Sequence, residues 1–377
     1  STQGVSSAAS DVYKRQVDKQ WGNDLIASWN LHNWIDLPVR VGEKIAPLMG
    51  AATGQTICCD SVSVNLFKLL TCALNINSGR QSILSTTDNF PTDLYIAEGV
   101  GRLLNSDRCH LELVERHELG VRLEEKPAVL LLTHTDFRTG ETFDIEELTK
   151  QAHAYGTLVI WDLSHSVGVL PLELDKWEVD FATGCTYKYL NGGPGAPAFL
   201  YAATKHQKFC EQPITGWMGH QAPFDFDRKY VASKHMAKFL SGTPPILSMS
   251  MLDAALDSFE KIDMQQLREK SIQLTELFLS LLENSGCLEQ LQLCSPKSAE
   301  ARGSQLAFFH KKGFGICQAL AAKQVIADFR SPDLLRFGFS PLHLCFEDIW
   351  LSTQAIKEVL DEGMYLLPAF NRRLKVT

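Results

Sequence analysis

Short, wholly apolar runs alternate along the first half of the chain with longer stretches whose apolar positions recur every three or four residues. "SVSVNLFKLLTCALNI" sets Val62, Leu66, Leu69, Leu70 and Leu74 near helical spacing, with Asp60 and Ser61 as N-cap candidates. "PAVLLLTHT" reads as a buried strand. "DIEELTKQAHAYG" reads as the next helix, with Asp144 and Glu147 at capping-box spacing and Gly156 at its stop. "TLVIWDLSH" and "VDFATGCTY" read as two further buried strands. Strand and helix in alternation predict right-handed crossovers and an α/β fold, a mainly parallel sheet flanked by helices. Polar residues at strand ends line the ligand crevices of such sheets, and Thr133, Asp162 and His165 fall there.

The pattern changes after "SGTPPILSMS". One long helix is expected from Met249 to Glu283, with Leu252, Leu256, Phe259 and Ile262 on one face. "SQLAFFH" and "DLLRFGFSP" then read as strands, and "GICQALAAKQ" and "EDIWLSTQAIKEVLDEG" as helices. The expected organisation is a large domain over residues 17–248, then the linking helix and a smaller C-terminal α+β domain over 249–377. Residues 1–16, "STQGVSSAASDVYKRQ", are polar and unperiodic and read as a disordered or non-native leader.

Composition narrows the function. The net charge of -8 and the absence of a basic run argue against nucleic-acid or anionic-membrane binding. No apolar run approaches the ~20 residues of a membrane span. The ten cysteines show no CxxC pair and no Cys/His ligand spacing, so no metal site is expected. They read as buried free thiols of a cytoplasmic protein.

The chemistry centres on "ATGCTYKYLNGGPGAP". Asp162 ends one predicted strand, and Lys188 follows the next, 188 − 162 = 26 residues on. Taken alone, Asp162 reads as one half of a structural salt bridge. Together the acid and the lysine form the layout that pyridoxal phosphate enzymes need. The amine forms a Schiff base with the aldehyde, and the acid keeps the pyridine nitrogen protonated. "NGGPGAP" has the wrong spacing and position for a dinucleotide loop and reads as a tight turn. The helix starting near Val62 offers free N–H groups and a positive dipole end to a phosphate. Ser63 adds a hydroxyl there, although capping alone would also account for it. Phe90 could stack on a flat ring or simply pack in the core.

"WGNDLIASWN", "NFPTDLYIAEG", "LLTHTDFRTGE", "WDLSHSVGVLPLEL", "VDFATGCTYKYLNGGPGAPAFLY", "GWMGH", "SGTPPILS" and "LLRFGFSPLH" together resemble the kynureninases. These are pyridoxal phosphate enzymes of fold type I, the aspartate aminotransferase fold. The resemblance runs from about Val17 to the C-terminus. It implies that Lys188 is the Schiff-base lysine, that Asp162 partners the ring nitrogen, and that Phe90 stacks on the ring with Pro91, Thr92 and Asp93 completing that segment. Val62, Ser63 and Tyr187 match phosphate-binding positions, and Thr133 and His165 match positions lining the cofactor. Trp217 and Thr243 match positions that reach the phosphate from a neighbouring subunit, which implies a homodimer with shared sites. Arg336 matches the arginine that grips the substrate carboxylate. Trp34 and the Gly242–Thr243 pair resemble the pattern that favours L-kynurenine over its 3-hydroxy derivative.

The implied reaction is hydrolytic Cβ–Cγ cleavage of L-kynurenine to anthranilate and L-alanine, a step of tryptophan catabolism linked to NAD formation. In this reading Lys188 moves the Cα proton and Tyr187 relays a proton at the ketone. A tyrosine of ordinary pKa, ~10, is a poor base at neutral pH, so neighbouring cations are expected to lower it. The competing enzyme reading is another fold type I lyase or aminotransferase such as a cysteine desulfurase, but those usually place His before the lysine and need a mobile cysteine loop. The family also carries an Asp-Gly-Asn-Ser-Leu-Gly motif ahead of the "WGN" helix, where this chain has "STQGVSSAASDVYKRQ". This departure raises a second alternative, a truncated chain that binds cofactor without turnover.

Overall fold

The structure, a computed structural model, describes residues 11–104 and 109–373. The chain forms two compact units. The larger spans residues up to His134 and Asp144–Ile262, and the smaller takes Thr135–Phe143 and Asp263 onward.

The larger unit is built on seven strands: β1 (Thr56–Cys58), β2 (Ser82–Thr86), β3 (His110–Val114), β4 (Val129–Thr133), β5 (Leu158–Asp162), β6 (Phe181–Gly184) and β7 (Phe199–Ala202). Their order is β1-β7-β6-β5-β4-β2-β3. β7 pairs antiparallel with both neighbours, and all other pairs are parallel. Every residue of β4, β5 and β6 is buried, which explains why they are apolar except for Thr133, Asp162 and Thr183. Register matters for chemistry. Thr133 sits directly beside Asp162, and Asp162 beside Thr183, so polar side chains gather where the parallel strands end.

Helices follow the predicted caps. After α1 (Leu37–Ile45), α2 (Val62–Ile76) starts at Ser61, whose hydroxyl accepts from Val64 N at 3.4 Å. Asp60 instead pairs with Lys68 at 2.5 Å, and Lys68, 0% exposed, also donates to Phe239 O at 2.5 Å. α3 (Pro91–Leu104) opens on the proline favoured at a first helical position. α4 (Ile145–Ala154) is capped by Asp144, which accepts from Glu147 N at 2.9 Å. Gly156, at φ +70°, ends it.

Two expectations need correction. The leader expected over 1–16 lies outside the described residues as far as residue 10. From Asp11 the chain is helical, with Val12 and Gln16 buried, and Gln16 Nε2 donates to Ser250 Oγ at 3.2 Å. The single long helix is two helices, α5 (Ile246–Leu256) and α6 (Met264–Asn284). Asp263 separates them: its Oδ1 accepts from Gln265 N at 2.8 Å and Gln266 N at 3.3 Å, capping a new helix rather than continuing the old one.

The smaller unit contains α6, α7 (Gly313–Ala322) and α8 (Phe346–Asp361). Its sheet comprises β8 (Gln292–Leu293), β9 (Gln305–Phe309), β10 (Asp328–Arg330) and β11 (Leu334–Gly338), antiparallel throughout in the order β10-β11-β9-β8. Leu274, Phe278, Phe308, Leu320 and Ile356 share its core. Among the described residues no helix is long and apolar enough to cross a membrane, and no cluster of His, Cys, Asp or Glu could hold a metal.

One buried charge braces the back of the larger sheet. Asp180, 1% exposed, takes His153 Nε2 at 2.8 Å, His206 Nε2 at 2.7 Å, Lys205 Nζ at 3.0 Å and Val159 N at 2.9 Å. Burial alone would raise its pKa, but the two histidine hydrogen bonds and the surrounding positive charge hold it well below the usual carboxylate range. Asp180→Asn should therefore cost about 3 kcal/mol near neutral pH, seen as a lower urea midpoint. A carboxylate of lowered pKa stabilises above its unfolded value of about 4 and loses that contribution on acidification. The gap between wild type and variant should thus narrow as pH falls below about 4.

Candidate active site

A cavity of about 270 Å³ opens at the C-terminal ends of β4, β5 and β6. It lies at the switch point of the sheet, where β2 leads outward to β3 while β4 leads back toward β5 and β6. Val62, Ser63, Phe90, Thr92, Asp93, Thr133, Asp162, His165, Tyr187 and Lys188 all line it. These ten come from five stretches of sequence that the fold brings together.

Asp162 and Asp93 form its floor. Asp162 Oδ1 accepts from Ser164 N at 2.7 Å, and Asp93 Oδ2 accepts from Thr133 Oγ1 at 3.1 Å. Burial, and then the neighbouring Asp162 charge, push Asp93 well above the usual carboxylate range. Burial raises Asp162 too, opposed first by the Lys188 charge and then by the Ser164 hydrogen bonds. Burial thus disfavours charge on both carboxyls, while Lys188 and Ser164 favour it on Asp162. Asp93 Oδ1 is buried without a hydrogen-bond partner.

Lys188 enters from the segment after β6. Its Nζ lies 3.3 Å from His165 Nδ1 and 6.0 Å from the Tyr187 ring centroid. The segment is pinned by Thr186, which donates to Pro197 O at 2.6 Å and accepts from Gly192 N at 2.9 Å. "NGGPGAP" is the tight turn expected, with Gly193 at φ +80° and Gly195 at φ +77°. The lowered pKa expected for Tyr187 is not found. Burial, then the charge and hydrogen bond of Cys185, push it up to about 12. Its ring is half exposed, and its hydroxyl keeps its proton at neutral pH.

Sequence reasoning passed over Asn89, which is buried where β2 meets α3. Its Oδ1 accepts from Phe90 N at 2.8 Å and Thr133 N at 3.0 Å, while its Nδ2 donates to Ser85 Oγ at 2.9 Å and Leu131 O at 3.3 Å. It thus ties the Phe90–Asp93 segment to the end of β4. The available signal was a polar residue between an apolar strand and a helix-initiating proline. Ser164 was passed over as well; its hydroxyl accepts from Cys185 N at 3.0 Å.

The remaining predicted residues are not among those lining this cavity. Pro91 opens α3 beside it. Trp34 is 8% exposed, edge-on to Trp29 at 6.0 Å, with its indole N–H 3.4 Å from Gln20 Oε1. Trp217 lines a separate cavity of about 340 Å³ with His220, Phe226 and Tyr230, and Thr243 is exposed. Arg336 belongs to the smaller unit.

A family model of the kynureninase C-terminal domain matches residues 267–356. A curated kynureninase from Burkholderia pseudomallei (strain 1106a) is 42% identical over 375 residues, covering 98% of this chain and 90% of that protein. The chain belongs to the kynureninase family. A kynureninase from Pseudomonas fluorescens is 41% identical over 366 residues, 96% of this chain and 88% of that protein. Among solved structures, a cysteine desulfurase from Thermococcus onnurineus NA1 superposes with a TM-score of 0.76 at 16% identity, covering 94% of this chain and 92% of that one. An alanine–glyoxylate aminotransferase from Nostoc sp. gives 0.65 at 18%, over 87% and 88%. At such identities these two show the fold, which is fold type I, and the kynureninase relatives carry the family.

Asn89→Ala would leave the Thr133 and Phe90 amides without their acceptor. Lost acceptors of this kind cost about 1–3 kcal/mol each, so pyridoxal phosphate affinity should fall at least about tenfold. Titration of the apoprotein, followed by cofactor absorbance, measures it.

Proposed function

We propose that this chain cleaves the Cβ–Cγ bond of L-kynurenine by hydrolysis, giving anthranilate and L-alanine, with Lys188, Tyr187 and Asp162 as its catalytic residues. The observation that carries the assignment is the single cavity in which Lys188, Asp162, Asp93 and Phe90 meet beneath the start of α2. The family is pyridoxal phosphate-dependent, and the residues present fit that group. Asp93 Oδ1 is a buried polar atom lacking a hydrogen-bond partner, and the Lys188 charge and the Ser164 hydrogen bonds favour the charged form of Asp162 in the same pocket. Val62 and Ser63 present the first turn of a fifteen-residue helix, a natural phosphate seat.

When bound, the cofactor supplies an aldehyde for the substrate amine and an electron-withdrawing protonated ring. Asp162 would keep its ring nitrogen protonated, and Phe90 would stack on the ring. Val62, Ser63 and the Tyr187 hydroxyl take the phosphate; Thr133 and His165 line the ring. Pro91 and Thr92 fix the turn that delivers Phe90 and Asp93. Lys188 would remove the substrate's Cα proton and return one later. Water adds to the side-chain ketone, and Tyr187 gives a proton to the developing oxygen. A pKa pushed up to about 12 suits a donor rather than a base. Arg336 grips the substrate carboxylate, and Trp34 contributes to preference for L-kynurenine over the 3-hydroxy compound.

We also propose a cytoplasmic homodimer. Ten free thiols support a reducing compartment. Trp217, Phe224 and Phe226 form an exposed aromatic cluster, with Trp217 5.7 Å from Phe224 and 6.4 Å from Phe226, the type of surface that a subunit interface covers. Trp217 and Thr243 lie outside the cavity of their own chain, in keeping with service to a partner's phosphate.

Anthranilate fluorescence should appear from L-kynurenine with the holoenzyme and be lost in Lys188→Ala, together with the visible absorbance of lysine-bound cofactor. Retained cofactor absorbance with no anthranilate would refute the assignment. Sedimentation should give a dimer. Mixing Lys188→Ala with Trp217→Ala protein should restore up to about a quarter of wild-type activity through randomly paired subunits with one intact site.

A further inference from the structure

The antiparallel register of the small sheet sets Asp328 of β10 directly opposite Arg336 of β11. Their side chains meet side-on: Asp328 Oδ1 accepts from Arg336 Nε at 3.0 Å and Oδ2 from Nη2 at 2.5 Å. Arg336 Nη1 also donates to Phe137 O. The guanidinium is only 9% exposed while the carboxylate is 41% exposed, so the acid reaches inward to a cation held in the fold. Arg330 Nη2 takes the same Asp328 Oδ2 at 3.1 Å. The second arginine does not compete for the bidentate contact, because it approaches one oxygen only.

We infer that Asp328 is a positioning residue for substrate: it locks the plane and rotation of Arg336 and so sets how the α-carboxylate of the amino-acid substrate is received. A guanidinium on a three-carbon stem has many rotamers, and gripping a carboxylate requires one of them. Two parallel charge-assisted hydrogen bonds fix both the guanidinium plane and its azimuth, which one bond or a point charge would not. This inference rests on the proposal that Arg336 grips the carboxylate. The opposite possibility, that Asp328 competes with substrate for Arg336, predicts the reverse change and is therefore decided by the same experiment.

L-Alanine and ethylamine differ only in the α-carboxylate. Their dissociation constants from the holoenzyme, read from the cofactor spectrum, give a ratio that reports carboxylate recognition. Asp328→Asn should reduce that ratio about tenfold and raise KM for L-kynurenine about tenfold, with kcat within about threefold of wild type. Asp328→Ser carries the same expectation should Asp328→Asn prove insoluble. An unchanged ratio overturns the inference, as does a lower KM, which would mark Asp328 as a competitor. Arg336→Ala separates the two levels. If it leaves the ratio unchanged, the carboxylate assignment of Arg336 fails and the inference falls with it. If it abolishes the ratio while Asp328→Asn does not alter it, only the positioning role is lost.

Discussion

Asp162 ends a strand buried on both faces, and its charge must be met inside the protein. A buried carboxylate is costly unless charges or hydrogen bonds compensate it. Here the compensation comes from the Ser164 amide and the Lys188 charge, while the neighbouring Asp93 is itself pushed toward its neutral form. Each of these depends on the sheet. The parallel register brings Thr133 beside Asp162, Thr133 holds Asp93, and Asn89 ties that group to the strand end. The lysine arrives only because β6 runs alongside β5 before the chain turns sharply through its glycines.

The parts of this arrangement that were legible in the sequence were those with a local signature. Wholly apolar runs gave β4, β5 and β6, and cap residues gave the starts of α2 and α4. The separation of Asp162 and Lys188 is a consequence of strand, loop and strand, and it pointed to the cofactor chemistry before any contact was known. β1, β2, β3 and β7 went unassigned: β1 has only three residues, and β3 mixes polar and apolar positions, with Val114 alone of its five residues buried. Their pairing partners are distant in sequence and decide their state.

What sequence missed was mostly positional. Asn89 makes four hydrogen bonds, but no pattern in one sequence distinguishes it from a turn residue. The environment of Tyr187 depends on how Cys185 and the strand end pack, so the direction of its pKa could not be read in advance. The break at Asp263 was within reach, since an aspartate with a glutamine three residues on, here Gln266, marks a helix start. The helical periodicity on either side masked it.

The excursion Thr135–Phe143 makes the smaller unit discontinuous. Within that unit the excursion pairs Glu141 with Arg302, receives Gln305 Nε2 on Asp136 O at 2.7 Å and offers Phe137 O to Arg336. A chain emerging from the ribosome makes this segment long before the residues it joins. The smaller unit therefore cannot be completed until nearly all of the polypeptide exists, and it cannot be cut out as one contiguous piece. A genetic fusion or recombination crossover near residue 263 would separate Arg336 from one of the groups that orient it.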